Sequence, residues 1–198
     1  MNLNHEFWEN KYQQQETGWD IGHISTPLKE YFNQLNNKDI HILIPGGGNS
    51  YEAEYLHQRG FKNIYVADIA KTALTNIKNR VSSFPENNLL LSDFFTLHKS
   101  HPELQFDLVV EQTFFCAIPP SQRVAYAQQV HQLLKPKGKL SGVLFNDTLN
   151  TDKPPFGGSK KEYITYFKNL FEILTMEKCY NSITERKNRE LFIQLLKK

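Results

Sequence analysis

Five short apolar runs recur along the middle of the chain: IHILIP (40–45), NIYVAD (63–68), NLLLSD (88–93), FDLVVEQ (106–112) and KLSGVLF (139–145). Their nearly unbroken Ile, Leu and Val content is the pattern of strands covered on both faces, as in a parallel sheet. Between them lie longer amphipathic segments, SYEAEYLHQRG, AKTALTNIKNR and SQRVAYAQQVHQLLKPKG, which read as helices. Gly60 fits a C-terminal cap on the first; Ser121 fits an N-cap on the third, which Pro136 and Gly138 stop. Such alternation predicts an α/β fold with a Rossmann-like, doubly wound sheet. FEILTMEKCY (171–180) and ELFIQLLKK (190–198) read as two more strands without a helix-length connection. They predict an antiparallel C-terminal edge hairpin on a seven-stranded, mostly parallel sheet.

Two segments break the rhythm. Residues 1–35 carry Phe7, Trp8, Tyr12, Trp19 and Tyr31 ahead of the sheet and are expected to form an N-terminal helical lid. Residues 146–163, rich in Pro, Gly and Asp, are expected to be a substrate loop, because such folds place ligands beyond the carboxyl ends of parallel strands. With 39% hydrophobic residues, the 198 residues read as one domain, 1–198, with one core.

Composition narrows the function. The net charge is +2 and the basic residues are scattered, so no nucleic-acid partner is expected. Seven histidines without HxH or HExxH spacing, and two cysteines, Cys116 and Cys179, predict neither a metal site nor a disulfide framework. No stretch is apolar enough to cross a bilayer, and the opening MNLNHEFWENKY has no signal-peptide character. A cytoplasmic protein without a membrane partner, and a monomer, is the expectation.

The candidate chemistry lies at PGGG (45–48), between the first strand and its helix. Glycines there take positive φ and let a ligand lie against the main chain. Asp68 ends the second strand about twenty residues further on, the spacing at which a carboxylate reaches ribose hydroxyls. The dinucleotide fingerprint G-x-G-x-x-G is broken, since Tyr51 stands at the third position, and no Walker lysine follows. S-adenosylmethionine, with a ribose and no phosphate, fits what remains. Ser92, Asp93 and Phe94, ending the third strand, suit its adenine, with Phe94 or Ile69 against the ring. Asp68 alone would also serve as a helix N-cap, and Asp93 as a loop residue.

FWENKYQQQETGWDIGHISTPL (7–28), LIPGGG (43–48), VADIAKTAL (66–74), FDLVVEQTFFCAIPPSQRVAYA (106–127), LLKPKG (133–138) and DKPPF (152–156) together resemble the class I S-adenosylmethionine-dependent methyltransferases. Within them the chain is similar to the thiopurine S-methyltransferase superfamily, and most of all to its plant thiol/halide branch. The resemblance implies that Trp8, Tyr12 and Trp19 close over the cofactor and that Gly46 lies beside its methionine part; Gly48, in the same turn, is also expected to bind the cofactor. It also implies that Asp68 binds the ribose, Ser92 and Asp93 the adenine, and that Glu111 and Gln112 adjoin the methionyl group and the reaction centre. Three positions depart from the pattern: Gly47 replaces a cysteine, Phe156 replaces a tyrosine of the plant enzymes, and Gln112 replaces arginine or tyrosine.

The expected reaction is methyl transfer to a small soft nucleophile, a thiol or a halide or thiocyanate ion, yielding S-adenosylhomocysteine. Such an acceptor needs little or no base, so no catalytic base is assigned and Glu111 and Gln112 are positioning candidates. Phe7, Trp19, Phe115 and Phe156 are expected to wall the acceptor pocket, with only one of the adjacent Phe114 and Phe115 facing it. An O- or N-methyltransferase, with Glu111 or Asp147 as base, is the alternative enzyme; a non-catalytic S-adenosylmethionine-binding protein is the alternative outside enzymology.

Overall fold

The computed structural model describes residues 2–198, so residue 1 of the expected lid segment lies outside the described residues. The seven strands are β1 (His41–Pro45), β2 (Asn63–Asp68), β3 (Leu89–Leu91), β4 (Phe106–Gln112), β5 (Leu134–Phe145), β6 (Phe171–Lys178) and β7 (Glu190–Lys197). They form one sheet in the order β3-β2-β1-β4-β5-β7-β6. The first five run parallel, and β7 inserts antiparallel between β5 and β6. The expected C-terminal hairpin is therefore present, with β6 at the edge.

The helices are α1 (His5–Gln13), α2 (Thr26–Asn33), α3 (Tyr51–Gln58), α4 (Lys71–Arg80), the single turn α5 (Leu97–Ser100), α6 (Arg123–Leu133) and α7 (Lys160–Phe167). Successive strand residues point to opposite faces and build two separate cores. Ile42, Ile44, Leu108 and Val110 meet α2, α3 and α4 through Phe32, Leu56 and Ile77. Leu43 and Val109 meet α6 and α7 through Tyr126, Val130 and Phe167 on the other face.

The helix stops follow local chemistry. After α3, Gly60 takes φ +84° while its N–H donates to the carbonyl of His57, and Phe61 N–H donates to that of Leu56. That is a Schellman cap, and Leu56 and Phe61 both sit in the core beside it. The third helix is capped differently from the expectation: Ser121 lies in a 3₁₀ turn, Pro120–Gln122, ahead of α6. β5 starts at Leu134 rather than at 139, because Leu134 already pairs with Phe106 before the register jumps to Leu108 and Lys139. The 146–163 loop is also shorter than expected. Ser159 accepts from Glu162 N–H and starts α7 at Lys160.

Residues 1–35 divide in two. Leu28 and Phe32 of α2 are fully buried under the sheet, so α2 belongs to the core and only the segment before it covers the carboxyl ends of the strands. Among the described residues, no helix is long and apolar enough to cross a membrane.

Candidate active site

After β3 the chain crosses to the far side of β1 and continues as β4. This reversal leaves a crevice at the carboxyl ends of β1 and β4, the place where open α/β sheets bind ligands. A cavity of about 900 Å³ fills it. β1, β2 and β3 supply one half, with Gly46, Gly48, Asp68, Ile69, Ser92, Asp93 and Phe94 on the wall. β4, β5 and the β6–β7 connection supply the other, with Gln112, Phe114, Phe145 and Arg186. The roof is α1 and the turn behind it, with Phe7, Trp8, Tyr12 and Trp19.

The glycine turn is shaped by protein side chains as much as by space for a ligand. Gly46 and Gly48 take φ +53° and +56°, which a residue with a Cβ adopts only at a cost. A Cβ at Gly46 would run into the Phe114 ring, and one at Gly48 into the Tyr12 hydroxyl. The turn thus receives the roof on one side and the β4 turn on the other. Asn49 secures it from behind: its Nδ2 donates to Asp20 Oδ2 (2.5 Å), while Asn76 Nδ2 donates to its Oδ1 (3.0 Å).

Asp68 is buried and ties the turn to β2. Its Oδ2 accepts from Gly48 N–H (2.9 Å) and its Oδ1 from Ala70 N–H (2.8 Å). Burial raises its pKa, against the lowering effect of these N–H groups. Each carboxylate oxygen keeps a lone pair beyond the one already used, so acceptor capacity remains on the cavity side. Asp93 caps the 3₁₀ turn Phe94–Thr96 by accepting from Phe95 N–H (2.9 Å) and also lines the cavity.

The roof is pinned as well as packed. Trp8 and Trp19 meet edge to face at 5.5 Å, as do Tyr12 and Trp19 at 5.8 Å. Glu9, on α1, accepts from Thr72 Oγ1 (2.5 Å) and Thr72 N–H (3.1 Å) at the start of α4. Partial burial raises the Glu9 pKa, but the bonds from Thr72 and Gln13 and the nearby His5 together outweigh it, and the net shift is downward.

Three expected site residues lie elsewhere. Glu111 is fully buried behind the wall: its Oε1 accepts from Phe114 N–H (2.9 Å) and Phe115 N–H (2.8 Å), and its Oε2 from Tyr126 Oη (2.5 Å). Burial pushes its pKa up to about 7. Phe115 turns into the core between Tyr126, Tyr163 and Phe167, and it is Phe114 that faces the cavity. The cause is Thr113, whose φ of +58° twists the chain as it leaves β4. Phe156 is likewise buried; its N–H donates to the Cys116 carbonyl (2.7 Å), and its neighbours Pro154 and Pro155 form the wall in its place.

Sequence reasoning missed Arg186, Arg189 and Lys153, which line the half of the cavity built from β4, β5 and the β6–β7 connection. Arg186 is buried, donates to the Trp19 carbonyl (2.7 Å) and lies 3.6 Å from Glu190. Arg189 pairs with Asp147 (2.5 Å). In sequence the stretch TERKNRE reads as a solvated charge cluster, which hides both arginines. Gln112, at the junction of the two halves, has a buried Oε1 without a hydrogen-bond partner among the described residues. Ser50 Oγ, at the glycine turn, is in the same condition.

The model of the family described as Thiopurine S-methyltransferase (TPMT) matches residues 3–197. The chain belongs to this family. Among similar proteins is the probable thiol methyltransferase 2 of Arabidopsis thaliana, 30% identical over 79% of this chain and 69% of its own length. Thiocyanate methyltransferase 1 of the same plant is 28% identical over 92% of this chain and 81% of its own. Among solved structures, a SAM-dependent methyltransferase from Anabaena variabilis superposes with a TM-score of 0.74 at 16% identity, over all of this chain and 96% of that one. This likeness establishes the methyltransferase fold. As a thiopurine S-methyltransferase family member, the chain is an S-adenosylmethionine-dependent S-methyltransferase.

Proposed function

We propose that this enzyme methylates a small organic thiol in the cavity between β1 and β4, beneath the α1 roof. S-adenosylmethionine supplies an electrophilic methyl group on a sulfonium. Asp68 takes the ribose hydroxyls on its free lone pairs, and Ser92, Asp93, Phe94 and Ile69 hold the adenine. Gly46, Gly48, Ser50 and Gln112 surround the methionine end, where the two unpartnered oxygens, Ser50 Oγ and Gln112 Oε1, offer acceptors to an ammonium group. Trp8, Tyr12 and Trp19 cover the site, exclude water and present aromatic faces to the sulfonium. Phe7, Phe114, Pro154 and Pro155 wall the acceptor.

The observation that carries the thiol reading is the state of the two carboxylates put forward above as bases for an O- or N-methyltransferase. Glu111 is sealed behind the wall with both oxygens engaged, and Asp147 is held by Arg189. A thiol, with an ordinary pKa near ~8.5, ionises with modest help, so collinear placement at close range is what the site must supply.

Two measurements test this. Calorimetric titration should detect S-adenosylhomocysteine binding that weakens roughly ten- to a hundredfold in Asp68→Ala, the scale of hydrogen bonds to a charged group. Labelled donor offered with thiols, thiocyanate, iodide and catechols should label the thiols. Turnover restricted to catechols would overturn the assignment.

A further inference from the structure

Two elements form the wall at which the acceptor is placed above: the turn after β4, with Phe114, and the loop after β5, with Pro154 and Pro155. Both rest from behind on one side chain. Arg123, the first residue of α6, is fully buried and stands outside the cavity. Its guanidinium lies 4.8 Å from the centre of the Phe115 ring and 5.6 Å from that of Tyr163.

The returning limb of the loop is bonded on both of its sides. Phe156 N–H donates to Cys116 O (2.7 Å) and Gly158 N–H to Asp147 O (3.0 Å), which engages the amides. Arg123 meets the carbonyls: Nη2 donates to Gly157 O (2.8 Å) and, at 3.4 Å, to Phe156 O. Nη1 donates to Glu162 Oε1 (3.0 Å) on α7, which Tyr166 Oη also reaches (2.8 Å). Space is as restricted as the bonding. A Cβ on Gly157 would strike Asp147 O and Leu149 N, and one on Gly158 would strike the Tyr163 hydroxyl.

Packing alone does not account for this arginine. A buried cation carries a desolvation cost that an apolar side chain of similar volume avoids. Its ionic partner, Glu162, is itself partly exposed, and Arg123 Nε is buried without a hydrogen-bond partner among the described residues. What the guanidinium supplies, and neither an apolar group nor an ammonium does, is diverging donors in one fixed plane, one for α7 and one for the loop. The Phe115 beneath it donates its N–H to Glu111 Oε1 (2.8 Å), as Phe114 does (2.9 Å). One guanidinium thus touches the supports of both the prolines and Phe114.

We infer that Arg123 is a positioning residue for methyl transfer: without touching either ligand, it holds the Pro154–Pro155 wall in register with Phe114 and so fixes the place of the acceptor. This rests on the acceptor site proposed above. The donor's place along β1 to β3 shares none of these bonds. Loss of the guanidinium fork therefore displaces the acceptor and leaves the donor where it is.

The test sets Arg123→Lys, which keeps the charge and loses the fork, beside Glu162→Gln, which loses the ion pair and keeps the loop bonds. Arg123→Met, which fills the same space, carries the same expectation as Arg123→Lys and replaces it if that variant does not fold. Calorimetric titration with S-adenosylhomocysteine gives the donor-site affinity and the fraction of competent chains, and benzenethiol serves as the acceptor. In Arg123→Lys the KM for benzenethiol should rise roughly tenfold, within the loss that a reactant misplaced by about 1 Å incurs, with S-adenosylhomocysteine affinity unchanged. Glu162→Gln should lower the thermal midpoint and move neither value. Amide exchange over residues 147–158 of the S-adenosylhomocysteine complex should quicken in Arg123→Lys and not in Glu162→Gln. Parallel weakening of both ligands in Arg123→Lys, or an unchanged KM for benzenethiol, would overturn the role of Arg123 alone. An unmutated enzyme that binds S-adenosylhomocysteine yet methylates no thiol would overturn the thiol reading; the exchange comparison then decides on Arg123, and unaltered exchange in Arg123→Lys would overturn its role as well.

Discussion

Glu111 shows how a residue out of reach of the cavity can still set its geometry. Its carboxylate gathers the N–H groups of Phe114 and Phe115 and so braces the turn that Thr113 starts, with the Phe114 ring against the glycine turn. The fully buried charge costs stability, as its pKa of about 7 against an ordinary 4.5 records. Between those two values the folded chain keeps a proton that the unfolded chain releases, so this group's contribution to stability is lost as pH rises. Denaturant midpoints should therefore fall more steeply from pH 5 to roughly pH 7 in the unmutated enzyme than in Glu111→Gln, which has no proton to lose. Glu111→Ala, which strands two buried N–H donors, should cost about 2–3 kcal/mol and lower kcat. Such a role is hard to read from sequence. The pair Glu111-Gln112 marks a strand end, but which of two adjacent phenylalanines turns inward is decided by the positive φ of Thr113, and threonine gives no notice of that conformation. Asp68 was legible because spacing from the glycine turn and position at a strand end constrain it jointly.

Among the elements, α1 is the one whose attachment is most local. It meets the body through the Glu9–Thr72 bonds and its aromatic face. Glu9→Ala should leave global stability within about 0.5–1 kcal/mol, since the pair is near the surface. Amide exchange in residues 5–13 should quicken nonetheless, and KM for the donor should rise severalfold; unchanged exchange would show that packing alone holds the roof. The strands β2 and β4 have the boundaries that the apolar runs predict, because burial on both faces leaves no ambiguity of period. The early start of β5 was hidden by Pro136 and Gly138, which interrupt the apolar pattern while Leu134 pairs on regardless. In the first 35 residues a single aromatic-rich segment serves two purposes. Only the burial of Leu28 and Phe32 separates the core helix from the cover.

For the molecule as a whole, the sheet order divides the labour. In the proposed arrangement the donor lies along β1 to β3, with Gln112 of β4 at its methionine end, and the acceptor lies along the rest of the wall from β4, β5 and the β6–β7 connection. Substitutions on the two sides should then act separately. Leu149→Ala should raise KM for thiols severalfold with S-adenosylhomocysteine affinity unchanged, and Ile69→Ala should do the reverse; matched effects on both ligands would contradict the division. The roof adds a practical property. The chain contains two tryptophans, and both stand over the cavity with their rings 5.5 Å apart. No other part of the molecule contributes indole emission. Excitation at wavelengths that tyrosine does not absorb therefore reads the cover alone, and the enzyme carries an unlabelled optical gauge of whatever enters beneath it.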